Sequence, residues 1–102
     1  MITAEFTGTA DRLLSVQVSG HAGFAPAGED IVCAAVSSAV QLTANAITEV
    51  RKAPCRVTVL ENAVSIVPES SAAQEFLQAL YLHLSLLAEE YPGTIHLKIS
   101  EV

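Results

Sequence analysis

The chain has 102 residues, of which 51% are apolar and 16% are charged, and its net charge is −6. This length predicts a single domain over residues 1–102 with a modest core. The acidic balance argues against general nucleic-acid binding, which requires a basic face, and it suits a basic partner as well as plain solubility.

Two strands open the chain, because apolar and polar residues alternate over 2–7 and again over 14–19. A turn at 8–12 between them predicts a hairpin. The second strand places His21 at the end of the sheet, and a loop over 22–29 follows. The alternating apolar residues of the two strands are Ile2, Ala4, Phe6, Leu14, Val16 and Val18.

A run without charge from Ile31 to Thr48 predicts a first helix over 31–51, with Asp30 as its N-cap. The stripe of residues that faces the core ends at Val50. The residues on the opposite side of the helix are small and uncharged, so we expect that side to face a cleft and another helix or subunit. Polar residues interrupt the run, which argues against a membrane span.

Strands are predicted over 56–60 and 63–67. A second helix is expected from a capping box of Ser71 and Gln74 to about Glu90, and a last strand over 95–99. The order ββαββαβ predicts an α+β, two-layer domain. It has a mixed or antiparallel sheet of about five strands and two helices on one face. Strand order is not readable from the sequence.

The second helix carries more apolar surface than a small sheet can cover, because Leu82 and Leu86 fall outside its core stripe. A sizeable exposed apolar patch is typical of an interface, so we expect a homodimer. His83 lies at the edge of the core stripe, which favours a structural role, and His96 points to the outer face of the last strand.

The two cysteines, Cys33 and Cys55, do not indicate a disulfide framework. The first residues alternate and do not form the basic segment and long apolar run of a secretory signal, so we expect a cytoplasmic protein with reduced thiols. Cysteines and histidines show no paired short spacing of the zinc type, and we expect neither a metal nor another cofactor.

Cys33 is the candidate nucleophile. At about the third helical position it would lie near unpaired backbone N–H groups and the positive end of the helix dipole. Both favour a thiolate, and His21 could take the thiol proton. Asp30 either caps the helix or orients the imidazole. A plain structural cysteine is the alternative, because cysteine is among the most buried residue types.

Two segments resemble the signature of the ribosomal-processing cysteine protease family Prp: GHAG at 20–23 and GEDIVCAAVS at 28–37. The resemblance covers the whole chain. It implies a catalytic dyad of His21 as general base and Cys33 as nucleophile, with substrate contacts at Gly20 and Ser37 and a less settled supporting role for Asp30. The loop that it places over the substrate includes Gly23, Phe24 and Gly28, although Phe24 suits the core equally well.

The same resemblance implies the substrate. Members of the family remove a short N-terminal extension from a large-subunit ribosomal protein, the twenty-seventh in the usual naming, and cut after a pair of aromatic residues. We therefore expect a cysteine endopeptidase that supports ribosome assembly and binds neither nucleic acid nor membrane. The alternative is a non-catalytic, ribosome-associated module that binds the same kind of peptide.

Overall fold

The computed structural model describes residues 1–20 and 27–101, with the backbone alone at 27–30. The five strands and two helices of this described part follow one another in the predicted order, with a π-helical turn after the first helix and a 3₁₀ turn before the second. They are β1 (Ile2–Thr9), β2 (Arg12–Ser19), α1 (Ala27–Asn45), a π-helical turn (Ala46–Val50), β3 (Cys55–Val59), β4 (Ala63–Pro68), the 3₁₀ turn (Ser71–Ala73), α2 (Gln74–Glu90) and β5 (Ile95–Ser100).

The strands form one mixed sheet in the order β3-β4-β2-β1-β5. Neighbouring strands are antiparallel except β1 and β5, which run parallel. Alternate residues of β1 and the inward stripes of α1 and α2 form one buried cluster. The domain is therefore the predicted two-layer α+β fold, with both helices on one face of a five-stranded sheet.

A β-bulge changes the predicted alternation in β2. Thr7 pairs with Ser15 while Gly8 pairs with Leu13, so Leu14 is an extra residue in the ladder. An extra residue in one strand reverses which side chains face the core beyond that point. Leu13 is therefore buried and Leu14 exposed, and the prediction that Leu14 faces the core was wrong.

Helix α1 begins earlier than predicted, at Ala27 and not at Ile31. Asp30 consequently lies at the fourth helical position, and its predicted role as N-cap was wrong. At the other end the helix widens into the π-helical turn, where the Arg51 N–H donates to the Ala46 carbonyl at 2.8 Å. The wider turn rotates Val50 out of the core stripe, and Val50 is exposed.

The side-chain cap before α2 lies one residue earlier than predicted and belongs to the 3₁₀ turn, whereas Ala73, the N-cap position of α2 itself, makes no side-chain cap hydrogen bond. The Ser70 hydroxyl accepts a hydrogen bond from the Ala72 N–H at 3.3 Å, so Ser70 and not Ser71 is the capping residue. Gln74 does not close a capping box, because its amide donates to the Asp11 carbonyl in the β1–β2 turn at 2.9 Å. That hydrogen bond ties the start of α2 to the sheet.

The inward face of α2 is as predicted at its centre. Leu77, Leu80 and Leu84 are buried, and the Tyr81 ring packs edge-on against Phe6 of β1 with centroids 5.1 Å apart. His83 is exposed, so its predicted place at the core edge was wrong.

The segment Ile31–Val50 is long and apolar enough to cross a membrane by length and composition. This corrects the expectation that the segment falls short of that test. The core helix of a soluble protein satisfies the same criterion, and its stripe of Val32, Val36, Val40 and Ile47 is buried in the cluster on the sheet.

Candidate functional site

A groove of about 600 Å³ lies between α1 and the β3–β4 hairpin. Three of the residues predicted for the site, Gly20, Cys33 and Ser37, line it together. Gly20 follows β2, whereas Cys33 and Ser37 lie one turn apart on α1, so the sheet and the helix each supply one side of the site. The prediction that Cys33 and Ser37 share one side of the helix is confirmed.

Cys33 is half-buried, since it packs against the core on one side and lines the groove on the other. With Ala27 as the first residue of α1, Cys33 is the seventh and not the third. Only the first four N–H groups of a helix lack intrahelical partners, and the dipole effect fades within the first turn. The predicted place of Cys33 in the first turn was therefore wrong, as was its N–H as one of the unpaired donors for an oxyanion.

Gly20 has a backbone conformation and a backbone hydrogen bond that define its place at the groove. Its φ is +86°, and a Cβ at this position would lie 2.5 Å from the Met1 carbonyl oxygen. Its N–H donates to the Asn62 carbonyl at the tip of the β3–β4 hairpin, at 3.1 Å. A left-handed φ with no room for a side chain requires glycine, so this residue type has a structural reason besides the predicted contact with substrate.

The α1 wall of the groove continues beyond Cys33. Ser37, Gln41, Ala44 and Asn45 all line the groove. The twelve-residue rise from Cys33 to Asn45 spans about 18 Å at 1.5 Å per residue, which corresponds to about five residues of an extended chain at ~3.3 Å each. The prediction that the small, uncharged side of this helix meets a cleft is confirmed for these positions.

The opposite wall was missed in the sequence. It is formed by the β3–β4 hairpin, whose Val57, Val59 and Val64 face the groove. Strand β3 is the outermost strand at its end of the sheet, and Val59 is 72% exposed. The alternation of Val57 and Val59 was visible, but the pairing of β4 with β2, which brings the hairpin beside α1, was not.

Several predicted site residues lie outside the part of the chain that the structure describes: His21, Gly23 and Phe24. Gly28 and Asp30 belong to the backbone of α1, so Gly28 is not part of a loop. The His21–Cys33 dyad therefore stays a prediction, as does a supporting role for Asp30.

Cys55 lies in a different environment from Cys33. It begins β3 and pairs with Pro68 of β4, away from the residues that line the groove. Burial raises the pKa of the Cys55 thiol and the Glu69 carboxylate adds to this effect, while a hydrogen bond with the Val67 backbone opposes it. A raised pKa disfavours the nucleophilic thiolate, which is consistent with the structural role predicted for Cys55.

Among the side chains described, those of residues 1–20 and 31–101, no group of three or more His, Cys, Asp or Glu is arranged to hold a metal ion. The described residues that line the groove offer a thiol, a hydroxyl, amides and one carboxylate beside apolar side chains.

Two of the solved structures with this fold are those of a ribosomal processing protease. The essential ribosomal processing protease Prp from S. aureus, in complex with a covalently linked product peptide, superposes with a TM-score of 0.86. It is 27% identical over 98% of this chain and 100% of that chain. The same protease in complex with a substrate peptide gives 0.86 at 26% identity, over 98% of this chain and 100% of that chain.

SMU.848 from Streptococcus mutans gives a TM-score of 0.87 at 27% identity, over 100% of this chain and 99% of that chain. A search of curated protein sequences gave no significant match. The family model described as cysteine protease Prp matches residues 1–96. The chain belongs to the cysteine protease Prp family, as the GHAG and GEDIVCAAVS segments predicted.

Proposed function

We propose that this protein is a cysteine endopeptidase that removes the N-terminal extension of a large-subunit ribosomal protein, the twenty-seventh in the usual naming. The observation that carries the proposal is the position of Cys33, half-buried at the side of a groove long enough for an extended peptide. The structures of the S. aureus protease with substrate and product peptides support a peptide as the ligand.

In the proposed reaction His21 takes the proton of the Cys33 thiol, and the thiolate attacks the scissile carbonyl carbon. The new C–S bond forms as the C–N bond breaks, and the imidazolium returns its proton to the leaving amine. Water then hydrolyses the thioester and releases the thiol. Gly20, which is bonded to His21, lines the same groove as Cys33, and this proximity along the chain supports the pairing.

The direct test uses a peptide that copies the extension and its junction with the mature ribosomal protein. The wild-type protein should make a single cut. Cys33→Ala should abolish the cut, while its free energy of unfolding in urea stays close to that of the wild type. Cys55→Ala is the matched control, because it removes the other thiol and should retain cleavage. A peptide that binds without being cut by the wild-type protein would favour the peptide-binding module instead.

We also propose that the protein is a homodimer that buries the outer side of α2. Leu82 is 61% exposed and Leu86 is 54% exposed, one helical turn further on. Sedimentation should give the mass of two chains, and Leu82→Glu with Leu86→Glu should give one chain with the fold retained. A wild-type monomer at high concentration would contradict the proposal.

The proposed reaction takes place in the cytoplasm, where ribosomal proteins are made and thiols stay reduced.

A further inference from the structure

The groove beside Cys33 has an uneven distribution of charge. Its floor and hairpin wall are apolar, and its α1 wall offers hydroxyl and amide groups. Among the described residues that line it, Glu61 is the single one with a charge. A single carboxylate on the rim of an otherwise neutral groove makes one end of that groove negatively charged.

The hairpin tip that carries Glu61 is fixed on both sides. The Leu60 N–H donates to the Ala63 carbonyl at 2.7 Å, which closes the turn. The Gly20 N–H donates to the Asn62 carbonyl at 3.1 Å, which ties the tip to the end of β2. Glu61 therefore lies at the end of the groove where the chain leaves β2 for His21.

The Glu61 carboxylate is exposed, and the ion pair found in the described part of the chain joins other residues, Lys98 and Glu5 on β5 and β1. The net charge of the chain is −6, so the protein as a whole has no excess of positive charge to offset this carboxylate. Charges at the rim of an interface act chiefly on encounter rate and on the exclusion of wrong partners, and both effects weaken with salt.

We propose that Glu61 is a specificity-determining residue that favours a substrate with a lysine or arginine next to the segment held in the groove, and that disfavours an acidic residue there. This inference rests on the proposed peptidase function. It names a preference that the apolar walls cannot supply, since Val57, Val59 and Val64 distinguish side chains by size and polarity and not by sign of charge.

The test is a positional scan. Peptides that copy the cleavage junction carry Lys, Gln or Glu in turn at each of the three positions on either side of the cut, and kcat/KM is measured for each. At one position or more, the wild-type protein should prefer Lys to Glu by roughly two- to five-fold, the range expected for an exposed charge pair. Added salt should reduce the preference.

Glu61→Gln should remove the preference at that position, and Glu61→Lys should reverse it. Glu49→Gln is the matched control, because Glu49 is an exposed carboxylate in the helical segment that continues α1 and does not line the groove. Both Gln variants lose one negative charge, so a change in the overall field would affect them equally.

An unchanged preference for Lys in Glu61→Gln, or an equal loss in Glu61→Gln and Glu49→Gln, would overturn the inference and leave the peptidase intact. If the wild-type protein cuts none of the peptides, the proposed function fails instead. Binding of labelled Lys and Glu peptides, measured by fluorescence anisotropy on the Cys33→Ala variant with and without Glu61→Gln, then still decides the role of Glu61.

Discussion

Replacing Gly20 with alanine tests whether the backbone at the end of β2 needs glycine. Two costs add. A non-glycine residue in the left-handed region is strained by about 1–2 kcal/mol, while the unfolded chain of an alanine variant loses freedom worth about 0.4–1 kcal/mol in the opposite sense. These two terms alone predict a net loss of up to about 1.5 kcal/mol.

The second cost is a clash. The alanine Cβ would lie 2.5 Å from the Met1 carbonyl oxygen, closer than such atoms approach. That carbonyl shares a planar peptide unit with the Ile2 N–H, which donates to the Thr94 carbonyl at 3.0 Å. Rotating the peptide away from the Cβ therefore weakens this hydrogen bond, whose net contribution is about 0.5–1.5 kcal/mol. We expect a total loss of roughly 0.5–3 kcal/mol for Gly20→Ala, from the strain, unfolded-chain and hydrogen-bond terms together.

Gly93→Ala is the matched control. Gly93 has a φ of +82°, close to that of Gly20, but a Cβ there would meet nothing within 4 Å. It should lose only the strain, so the difference between the two variants in urea unfolding isolates the clash at about 1 kcal/mol. Cleavage should fall in Gly20→Ala beyond the unfolded fraction and stay normal in Gly93→Ala. Equal unfolding midpoints for the two variants would refute the reasoning.

Three further predictions concern the core and the thiols. Leu84→Ala should cost about 2–5 kcal/mol in urea unfolding because Leu84 is fully buried, whereas Leu86→Ala should change stability much less in the monomer. Burial raises the pKa of Cys55, so iodoacetamide should alkylate it slowly at pH 8. Folding stability should fall as the pH rises above about 8.5, since the unfolded chain loses that proton first. His21→Ala should slow alkylation of Cys33 and leave that of Cys55 unchanged; equal slowing of both would contradict the dyad.

The elements of the fold could be predicted because they depend on local patterns. The alternation over 2–7 and the leucine stripe of α2 each match the face that the structure buries. The errors arose where a tertiary contact replaced a local one. Gln74 donates to the β1–β2 turn and does not close a capping box, and Leu14 is displaced by a bulge whose partner lies on β1.

The candidate site was predicted in part for the same reason. Cys33 and Ser37 share a helical face, so their spacing alone places them together. Glu61 and Asn62 lie between the two strands predicted over 56–60 and 63–67, and their place beside Gly20 is not visible in the sequence because it depends on β4 pairing with β2. The order of strands in a sheet leaves no local pattern in the sequence. The hairpin wall of the groove could therefore not be predicted.

The early start of α1 changes what must activate the thiol. With Cys33 seven residues into the helix, the unpaired N–H groups and most of the dipole effect belong to 27–30 and not to the cysteine. Activation of the Cys33 thiol therefore depends on another group, and in the proposed dyad the His21 imidazole has that role. The groove geometry consequently makes the histidine more important to the proposed chemistry than the helix terminus that first suggested it.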